Sequence, residues 1–310
     1  MIEIQELTKV YGQTTVVDRV SLTIGAGELC AIVGTSGSGK TTLMRMVNRL
    51  VEPTSGKVLI DGQDTREVPA YELRRRIGYA IQGHGLFPHR TVGQNIGTVP
   101  HLLAWDKSRI ANRVDELLSL FQLDPGQFRD RMPNELSGGQ QQRVGVARAL
   151  AAEPNILLMD EPFGALDPVI RSKAQDDLLA IQKRFNTTVV LVTHDMEEAI
   201  HLGSRIAVMD GGKLLQYAAP EEIIANPATD FVAELIGGDR PFRMLSLAKV
   251  LSLVEPGEAA GDPISAGASL REAYAECLWS GREALPVIED GKLIGRISRN
   301  DLAKCAARPK

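Results

Sequence analysis

The sequence has few cysteines, no long apolar run and no excess of positive charge. Its three cysteines, Cys30, Cys277 and Cys305, lie far apart and form no C-x-x-C pair, so we expect neither a disulfide framework nor a zinc site, and a reducing compartment fits. No run approaches the roughly 18 consecutive apolar residues that a membrane-spanning helix needs. The first residues lack the apolar core of a signal peptide. The net charge of −4 gives no electrostatic reason to expect a nucleic-acid partner.

The remaining composition is that of an ordinary globular protein, with 44% hydrophobic and 24% charged residues. A length of 310 residues predicts two domains, or one large domain with an appendage. Apolar and polar residues alternate over residues 2–24, which predicts strands of an antiparallel edge sheet. Tyr11 lies at a turn between these strands. It could return beside Lys40 and offer its ring to a base, although a tyrosine in a turn more often packs on the surface.

The strongest signal is a stretch that passes from a buried strand into a helix. Apolar residues 30–33 are followed by the pattern G-x-x-x-x-G-K-[ST], which ends at Lys40 and Thr41. Glycines let backbone N–H groups close around phosphate oxygens, and the new helix points its positive end at them. Lys40 would reach the β- and γ-phosphates, and the Thr41 hydroxyl would ligate Mg²⁺. The predicted nucleotide-binding residues are Gly34, Thr35, Ser36, Gly37, Ser38, Gly39, Lys40, Thr41 and Thr42.

Two later strands are predicted to bring acids and a histidine to the same edge of the sheet. The apolar run 156–159 ends at Asp160 and Glu161, and the run 188–192 ends shortly before His194. Because open α/β sheets bind ligands at the carboxyl ends of their strands, Asp160 would hold Mg²⁺ through its water shell. Glu161 could orient or deprotonate an attacking water. The alternative is that paired acids at a strand end merely cap a helix.

Residues 94 to about 152 are mostly helical in pattern, which suggests a helical insertion into an α/β core. Within it, Leu136-Ser137-Gly138-Gly139-Gln140 precedes a helix. Ser137 is a good N-cap, and the glycines leave N–H groups open at the positive end. The motif therefore indicates either a second anion site or an ordinary capped helix. Upstream, Leu86 and Phe87 lie either on an exposed partner-binding loop or in the core.

In this order, the motifs resemble those of the ATP-binding subunit of an ABC transporter, over roughly residues 1–240. Walker A is residues 34–41, the Q-loop glutamine is Gln82, the signature is residues 136–140, Walker B ends at Asp160, the D-loop ends at Asp167, and the switch histidine is His194. The resemblance implies an α/β P-loop NTPase cassette with a RecA-like parallel sheet, an antiparallel β subdomain and a helical subdomain. It also implies an intact ATPase that uses ATP and Mg²⁺.

The resemblance assigns further roles and partners. It implies a head-to-tail homodimer, two membrane permease subunits met by the Leu86–Phe87 loop, an external substrate-binding protein, and a peripheral position on the cytoplasmic face of the inner membrane. The implied catalytic residues are Glu161, His194 and Gln82. The implied Mg²⁺ residues are Thr41, Gln82 and Asp160, Tyr11 would contact the base, and the residues acting on the partner's ATP would be Ser137, Gly138, Gly139, Gln140 and Asp167.

The predicted domains are a cassette at residues 1–237, a linker at 238–262 and a tail at 263–310. The tail resembles a single CBS motif, a small α+β module, in which Ser298 and Asp301 match ribose-binding positions. A second copy could come from the other chain of the dimer. A docking or dimerising remnant without a ligand is the alternative.

A cassette with a CBS tail resembles the importers of quaternary-amine osmoprotectants: glycine betaine, choline, carnitine or proline betaine. We therefore expect an ATPase subunit that powers the uptake of such a solute. One alternative is an importer of another small solute, such as an amino acid or a metal. Others are a soluble ABC protein of DNA repair or translation and a regulatory nucleotide-binding module with little turnover. The sequence shows neither the tandem cassettes nor the basic face that would support a soluble ABC protein.

Overall fold

The structure is a computed structural model that describes residues 1–81, 83, 85–164 and 166–307. The chain divides into two compact units. The first comprises Met1–Asp195 and Leu202–Tyr217, and the second comprises Met196–His201 and Ala218–Lys310.

The strands and helices alternate along most of the chain. The strands are β1 (Ile2–Tyr11), β2 (Thr14–Ile24), β3 (Leu29–Val33), β4 (Ser55–Ile60), β5 (Gln63–Asp64), β6 (Ile77–Ala80), β7 (Ile156–Asp160), β8 (Thr188–Val192), β9 (Arg205–Asp210), β10 (Lys213–Ala218), β11 (Ile264–Ser265), β12 (Ala284–Glu289) and β13 (Lys292–Ser298). The helices are α1 (Lys40–Val47), α2 (Ala70–Arg76), α3 (Val92–Ile96), α4 (Thr98–Leu102), α5 (Lys107–Leu120), α6 (Pro125–Phe128), α7 (Gly138–Leu150), α8 (Pro168–Phe185), α9 (Met196–Leu202), α10 (Pro220–Ala225), α11 (Asp230–Ile236), α12 (Arg240–Ser246), α13 (Leu270–Ser280) and α14 (Arg299–Ala306). Short 3₁₀ helices lie at Thr65–Glu67, Pro133–Glu135 and Val250–Leu253.

The first unit is built on two sheets. The larger has the order β10-β9-β3-β8-β7-β6, and β9, β3, β8, β7 and β6 run parallel. Every residue of β3, β7 and β8 is buried, as expected for parallel strands covered on both faces. The predictions of strands from the apolar runs 30–33, 156–159 and 188–192 are therefore confirmed.

The smaller sheet is antiparallel, with the order β2-β1-β4-β5. Ile2 of β1 pairs with Ile24 of β2 and with Ile60 of β4, so the strands predicted over residues 2–24 lie where the alternating pattern placed them. The side chains of Ile2 and Ile24 are fully buried. Burial alternates over residues 2–5 of β1 and 20–24 of β2, which accounts for the period-two pattern there.

The first unit also contains a helical region. From Val92 to Leu150 the chain forms α3–α7, and no strand lies among these residues. On α5, the buried side chains of Val114, Leu117 and Leu118 recur at the spacing of one helix face. The helical pattern predicted for residues 94–152 is thus confirmed.

The second unit has its own small sheet and core. β11 pairs parallel with β12, and β12 pairs antiparallel with β13. The core is a cluster of apolar side chains that are at most 3% exposed, contributed by the sheet, by α12–α14 and by the loops between them: Leu245, Val250, Ala266, Leu270, Ala273, Cys277, Leu285, Val287, Ile297 and Leu302.

The stretch predicted to be a linker, residues 238–262, contains regular structure. The stretch was predicted to be a linker because Gly237, Gly238 and Pro241 interrupt the pattern. In the structure it contains α12 and a 3₁₀ helix, and it contributes Leu245 and Val250 to the core of the second unit. A proline in the first turn of a helix is tolerated because the first N–H groups have no helical partner, and Pro241 is the second residue of α12.

The described residues contain no helix that is both long and apolar enough to cross a bilayer. They also contain no cluster of three or more His, Cys, Asp or Glu side chains that could hold a metal ion by itself. All three cysteines are free: Cys30 and Cys277 are buried, and Cys305 is exposed.

Candidate functional site

The loop between β3 and α1, residues 34–39, is called the phosphate loop below. Its shape is held by Lys40, whose side chain is 6% exposed. The Lys40 Nζ donates hydrogen bonds to the carbonyl oxygens of Gly34 and Thr35 at 2.8 and 2.7 Å, and to the Ser38 Oγ at 3.3 Å. Burial lowers the pKa of Lys40, against the opposing effect of nearby carboxylates. The Lys40 amino group is thus held among oxygen atoms of the phosphate loop.

Two glycines let this loop pass close to other backbone. Gly39 precedes α1 with φ of 93°, and a Cβ there would lie 2.4 Å from the Val16 carbonyl oxygen. Gly34 has φ of 153°, and a Cβ there would lie 2.0 Å from the Met209 carbonyl oxygen. Both the backbone angle and the lack of space exclude a side chain. The loop conformation thus depends on glycine at both of its ends.

Asp160 ends β7, next to β8 in the sheet, and its side chain is almost fully buried. Its Oδ1 accepts a hydrogen bond of 2.9 Å from the Thr41 hydroxyl. Its Oδ2 accepts no hydrogen bond from any residue that the structure describes, although the Arg45 Nη2 lies 3.7 Å away. Burial raises the pKa of Asp160, and the bond from Thr41 and the charge of Arg45 oppose that rise. A buried carboxylate oxygen without a hydrogen bond, beside a hydroxyl, suits a hard cation such as Mg²⁺.

Glu161 and His194 follow the ends of neighbouring strands. The Glu161 N–H donates to the Val192 carbonyl oxygen at 2.9 Å, and the residue has a left-handed backbone with φ of 46°. This conformation is uncommon outside glycine and is often found at functional sites. The Glu161 Oε2 lies 3.4 Å from the His194 Nδ1. An acid and a histidine thus form a pair beside Asp160.

The residues predicted at this sheet edge are therefore brought together: the phosphate loop, Lys40, Thr41, Asp160, Glu161 and His194. One further contact ties the loop to the edge, since the Thr35 hydroxyl donates to the Asp210 Oδ1 at 3.2 Å. Ser36, Gly37, Ser38 and Thr42 lie in the same loop or in the first turn of α1. Gln82 lies outside the described residues.

The second predicted anion site is a helix end with its N–H groups open. Ser137 caps α7: its Oγ accepts from the Gln140 N–H at 3.3 Å, and the Gln140 Oε1 accepts from the Ser137 N–H at 2.9 Å. A Cβ on Gly138 would meet nothing within 4 Å. Asp167 caps α8 by accepting from the Ile170 N–H at 3.1 Å. In the described part of the chain, these contacts are local and none reaches the phosphate loop.

Tyr11 is half exposed, and the Leu86–Phe87 segment is partly buried. Tyr11 ends β1 with half its surface exposed, and the Lys9 Nζ lies 4.8 Å from its ring centroid. Its contact with a base remains a prediction. Leu86 packs against the core, whereas Phe87 is exposed, so the segment is neither wholly exposed nor wholly buried.

Sequence reasoning missed Asn95, which organises the Phe87 segment. Its side chain is fully buried. The Nδ2 donates to the carbonyl oxygens of Phe87, Arg90 and Thr91, and the Oδ1 accepts from the Phe87 N–H at 2.8 Å. An isolated asparagine in a helical pattern carries no motif. The only available signal was the capping box between Thr91 and Gln94 that begins α3.

In the tail, Ser298 and Asp301 cap the last helix. The Ser298 Oγ accepts from the Asp301 N–H at 3.1 Å and donates to the Asp301 Oδ2 at 2.7 Å. The Lys304 Nζ donates to the Asp301 Oδ1 at 2.6 Å, and this bond is the main reason that the pKa of Asp301 lies below its usual value. These contacts give both residues a local structural role. Ribose binding remains a prediction.

Comparisons with known proteins agree with this geometry. A family profile described as ABC transporter matches residues 17–164. The chain is 45% identical over 305 residues to the glycine betaine uptake system ATP-binding protein YehX of Escherichia coli (strain K12), a match that covers 97% of this chain and 99% of that protein. It is 44% identical to the osmoprotectant import ATP-binding protein OsmV of Salmonella typhimurium (strain LT2), with 97% of this chain and 80% of that protein covered. Among solved structures, it is similar to the dimeric post-hydrolysis state of the ATP-binding cassette MJ0796 bound to ADP and Pi, with 34% identity and a TM-score of 0.66 over 71% of this chain and 99% of that chain.

Proposed function

The chain belongs to the ABC transporter family, and we propose that it is the ATP-hydrolysing subunit of an importer for a quaternary-amine osmoprotectant such as glycine betaine, choline or carnitine. The proposed ATPase activity is supported mainly by one observation, the sheet edge where five side chains meet: Lys40, Thr41, Asp160, Glu161 and His194. The solute class is supported by likeness along nearly the whole chain to ATP-binding proteins of glycine betaine and osmoprotectant uptake.

When ATP binds, its phosphate oxygens would replace the loop oxygens that accept hydrogen bonds from Lys40. Its ammonium hydrogen-bonds two carbonyl oxygens and one hydroxyl of the loop. The β- and γ-phosphate oxygens of ATP would be stronger acceptors because they are charged. The N–H groups at the start of α1 add the positive end of the helix. The loop therefore needs little rearrangement to bind a triphosphate.

The Mg²⁺ that accompanies ATP would be held by Thr41 and Asp160. Both offer oxygen atoms, and the Asp160 Oδ2 lacks a hydrogen bond from the described residues. When bound, the ion neutralises charge on the phosphate oxygens. Gln82, which the family pattern adds to this set, stays a proposal from the sequence.

Hydrolysis requires that a water molecule be oriented and lose a proton. The Glu161 carboxylate is the base, and its backbone is fixed by the bond to Val192. His194 lies 3.4 Å from that carboxylate, so it can hold the acid in position and share the proton. Both residues act at the γ-phosphate end of the site.

A complete site would need two copies of the chain. The open helix end at Ser137, Gly138, Gly139 and Gln140 can bind an anion, yet its own contacts are local. We infer that it caps the γ-phosphate held by the partner chain, near Asp167. The dimeric state of a related cassette supports this arrangement. ATP would then join the two copies, and hydrolysis would release them.

The proposed assembly adds two membrane permeases and an external substrate-binding protein. Phe87 is the exposed apolar residue of the segment that follows Gln82, which supports contact with a permease. The chain would lie peripherally on the cytoplasmic face of the inner membrane. For the tail, a single CBS module at residues 263–310 is proposed, whose ligand and sensory role are open.

The test combines turnover with uptake. The purified chain should hydrolyse ATP in the presence of Mg²⁺, and a strain lacking it should lose glycine betaine uptake under osmotic stress. Turnover without any effect on quaternary-amine uptake would favour an importer of another solute. Absence of turnover, with nucleotide still bound, would favour a regulatory module instead.

A further inference from the structure

Two side chains of α1 lie close to the Asp160 carboxylate. Thr41 and Arg45 are four residues apart and therefore lie on one face of the helix. The Thr41 hydroxyl donates to the Asp160 Oδ1 at 2.9 Å, while the Arg45 Nη2 lies 3.7 Å from the Oδ2. Neither the phosphate-loop pattern nor the family motifs quoted above include Arg45.

The contact between Arg45 and Asp160 is an ion pair without a hydrogen bond. A separation of 3.7 Å exceeds the 2.7–3.2 Å of an N–H···O bond, and the Oδ2 accepts no hydrogen bond from the described residues. The Asp160 side chain is 2% exposed and that of Arg45 is 47% exposed. One partner is thus buried, whereas the other is about half exposed.

Arg45 also has a second partner. Tyr79 lies on β6, the strand next to β7, and the Arg45 guanidinium opposes the rise that burial causes in the pKa of the Tyr79 hydroxyl. Tyr79 and Leu158 are paired in the register of these strands, two residues before Asp160. The guanidinium therefore has two polar groups near it, the Asp160 carboxylate and the Tyr79 hydroxyl.

We propose that Arg45 is a positioning residue that stands in for the metal ion: it neutralises the buried Asp160 carboxylate in the nucleotide-free protein and withdraws towards Tyr79 when Mg²⁺ and nucleotide bind. A buried carboxylate without a countercharge is costly, and two cations cannot both neutralise it closely without repelling each other. Arg45 therefore stabilises the empty site and competes with the ion for it. The inference rests on the proposed nucleotide site.

The test is thermal unfolding of the full chain, first with EDTA and then with ADP and increasing MgCl₂. Arg45→Met should lower the Tm in EDTA by roughly 2–5 °C, and saturating Mg²⁺ and ADP should remove most of that deficit. The Mg²⁺ concentration for half of the shift should fall about three- to tenfold because a competing charge is gone. Arg45→Lys should fall between the two proteins.

A second variant predicts the opposite direction. Tyr79→Phe removes the alternative partner, so Arg45 should be displaced less readily and the half-saturating Mg²⁺ concentration should rise about threefold. This variant also tests the inference if Arg45→Met fails to fold. Arg74→Met is the matched control, since Arg74 is exposed and its guanidinium donates to the Ala70 carbonyl of its own helix.

The inference is overturned if the deficit of Arg45→Met persists at saturating Mg²⁺ and ADP, because a packing role would give that result. It is also overturned if Tyr79→Phe leaves the Mg²⁺ requirement unchanged. If the unaltered protein shows no shift with Mg²⁺ and ADP, the proposed nucleotide site fails first and the role of Arg45 fails with it.

Discussion

The nucleotide site and the capped helix of the tail use the same residue types in opposite ways. At the nucleotide site, Asp160 is buried, burial raises its pKa, and its Oδ2 has no hydrogen bond from the described residues. In the tail, both oxygens of Asp301 accept hydrogen bonds, from Ser298 and Lys304. The bond from Lys304 lowers the pKa of Asp301.

The difference has a physical meaning. A charged group that is buried with incomplete bonding costs folding free energy, and we propose that Asp160 is retained because it offers a place for a cation beside phosphate. A group whose oxygens are satisfied by its own helix end contributes to local stability. Incomplete bonding, rather than residue type, therefore distinguishes the binding site from the structural motif.

The largest expected effect comes from Glu161→Gln. Removal of the base should reduce ATP turnover by about 10²- to 10⁴-fold, while ATP still binds and holds two chains together. Turnover and size-exclusion chromatography with ATP measure the two results. Glu153→Gln is the matched control, since Glu153 is exposed and has the same left-handed backbone, with φ of 53° against 46° for Glu161. Undiminished turnover in Glu161→Gln would remove the residue from its role.

Gly39→Ala should have the next largest effect. The backbone at φ of 93° is strained for alanine, and the new Cβ would lie 2.4 Å from the Val16 carbonyl oxygen. We expect a loss of about 2–4 kcal/mol in the free energy of unfolding, measured by urea denaturation. Gly138→Ala is the comparison, because a Cβ there meets nothing within 4 Å and should leave stability within about 0.5 kcal/mol. Equal stability of the two variants would show that the loop conformation tolerates a side chain.

Two capping boxes of the same type can separate a structural role from a functional one. The expected loss of stability is smaller than that of Gly39→Ala. Ser137 caps α7 with Gln140, and Ser269 caps α13 with Glu272 in the same way. Replacement of either serine by alanine should cost about 1 kcal/mol of stability. Only Ser137→Ala should also weaken ATP-dependent dimerisation, seen by chromatography with ATP in the Glu161→Gln background. An equal loss in Ser269→Ala would contradict the proposed contact across the dimer.

Most residues of the candidate nucleotide site could be predicted from the sequence because their signals are local. A continuous apolar run predicts a buried parallel strand, and the residues that follow it then lie at the ligand-binding edge, as Asp160 and His194 do. Arg45 was not predicted because its partner Asp160 is 115 residues away in the sequence and no motif joins them. The local signals of α12 were hidden by the glycines and the proline around its start. The contacts proposed across a dimer are not formed within one chain.

The smallest expected effect concerns acid, and it tests whether Asp301 is a structural group. Its pKa in the folded tail lies below the usual value of 3.8, so the folded state binds a proton less readily than the unfolded state. The stabilisation is fully present above the unfolded pKa and is lost as the pH falls through the folded pKa. Calorimetry between pH 6 and pH 3 should therefore show a steeper fall in Tm for the unaltered protein than for Asp301→Asn. Parallel pH profiles would mean that the bonds to Ser298 and Lys304 contribute nothing to the stability of the tail. Asp301 would then not be a structural counterpart of Asp160.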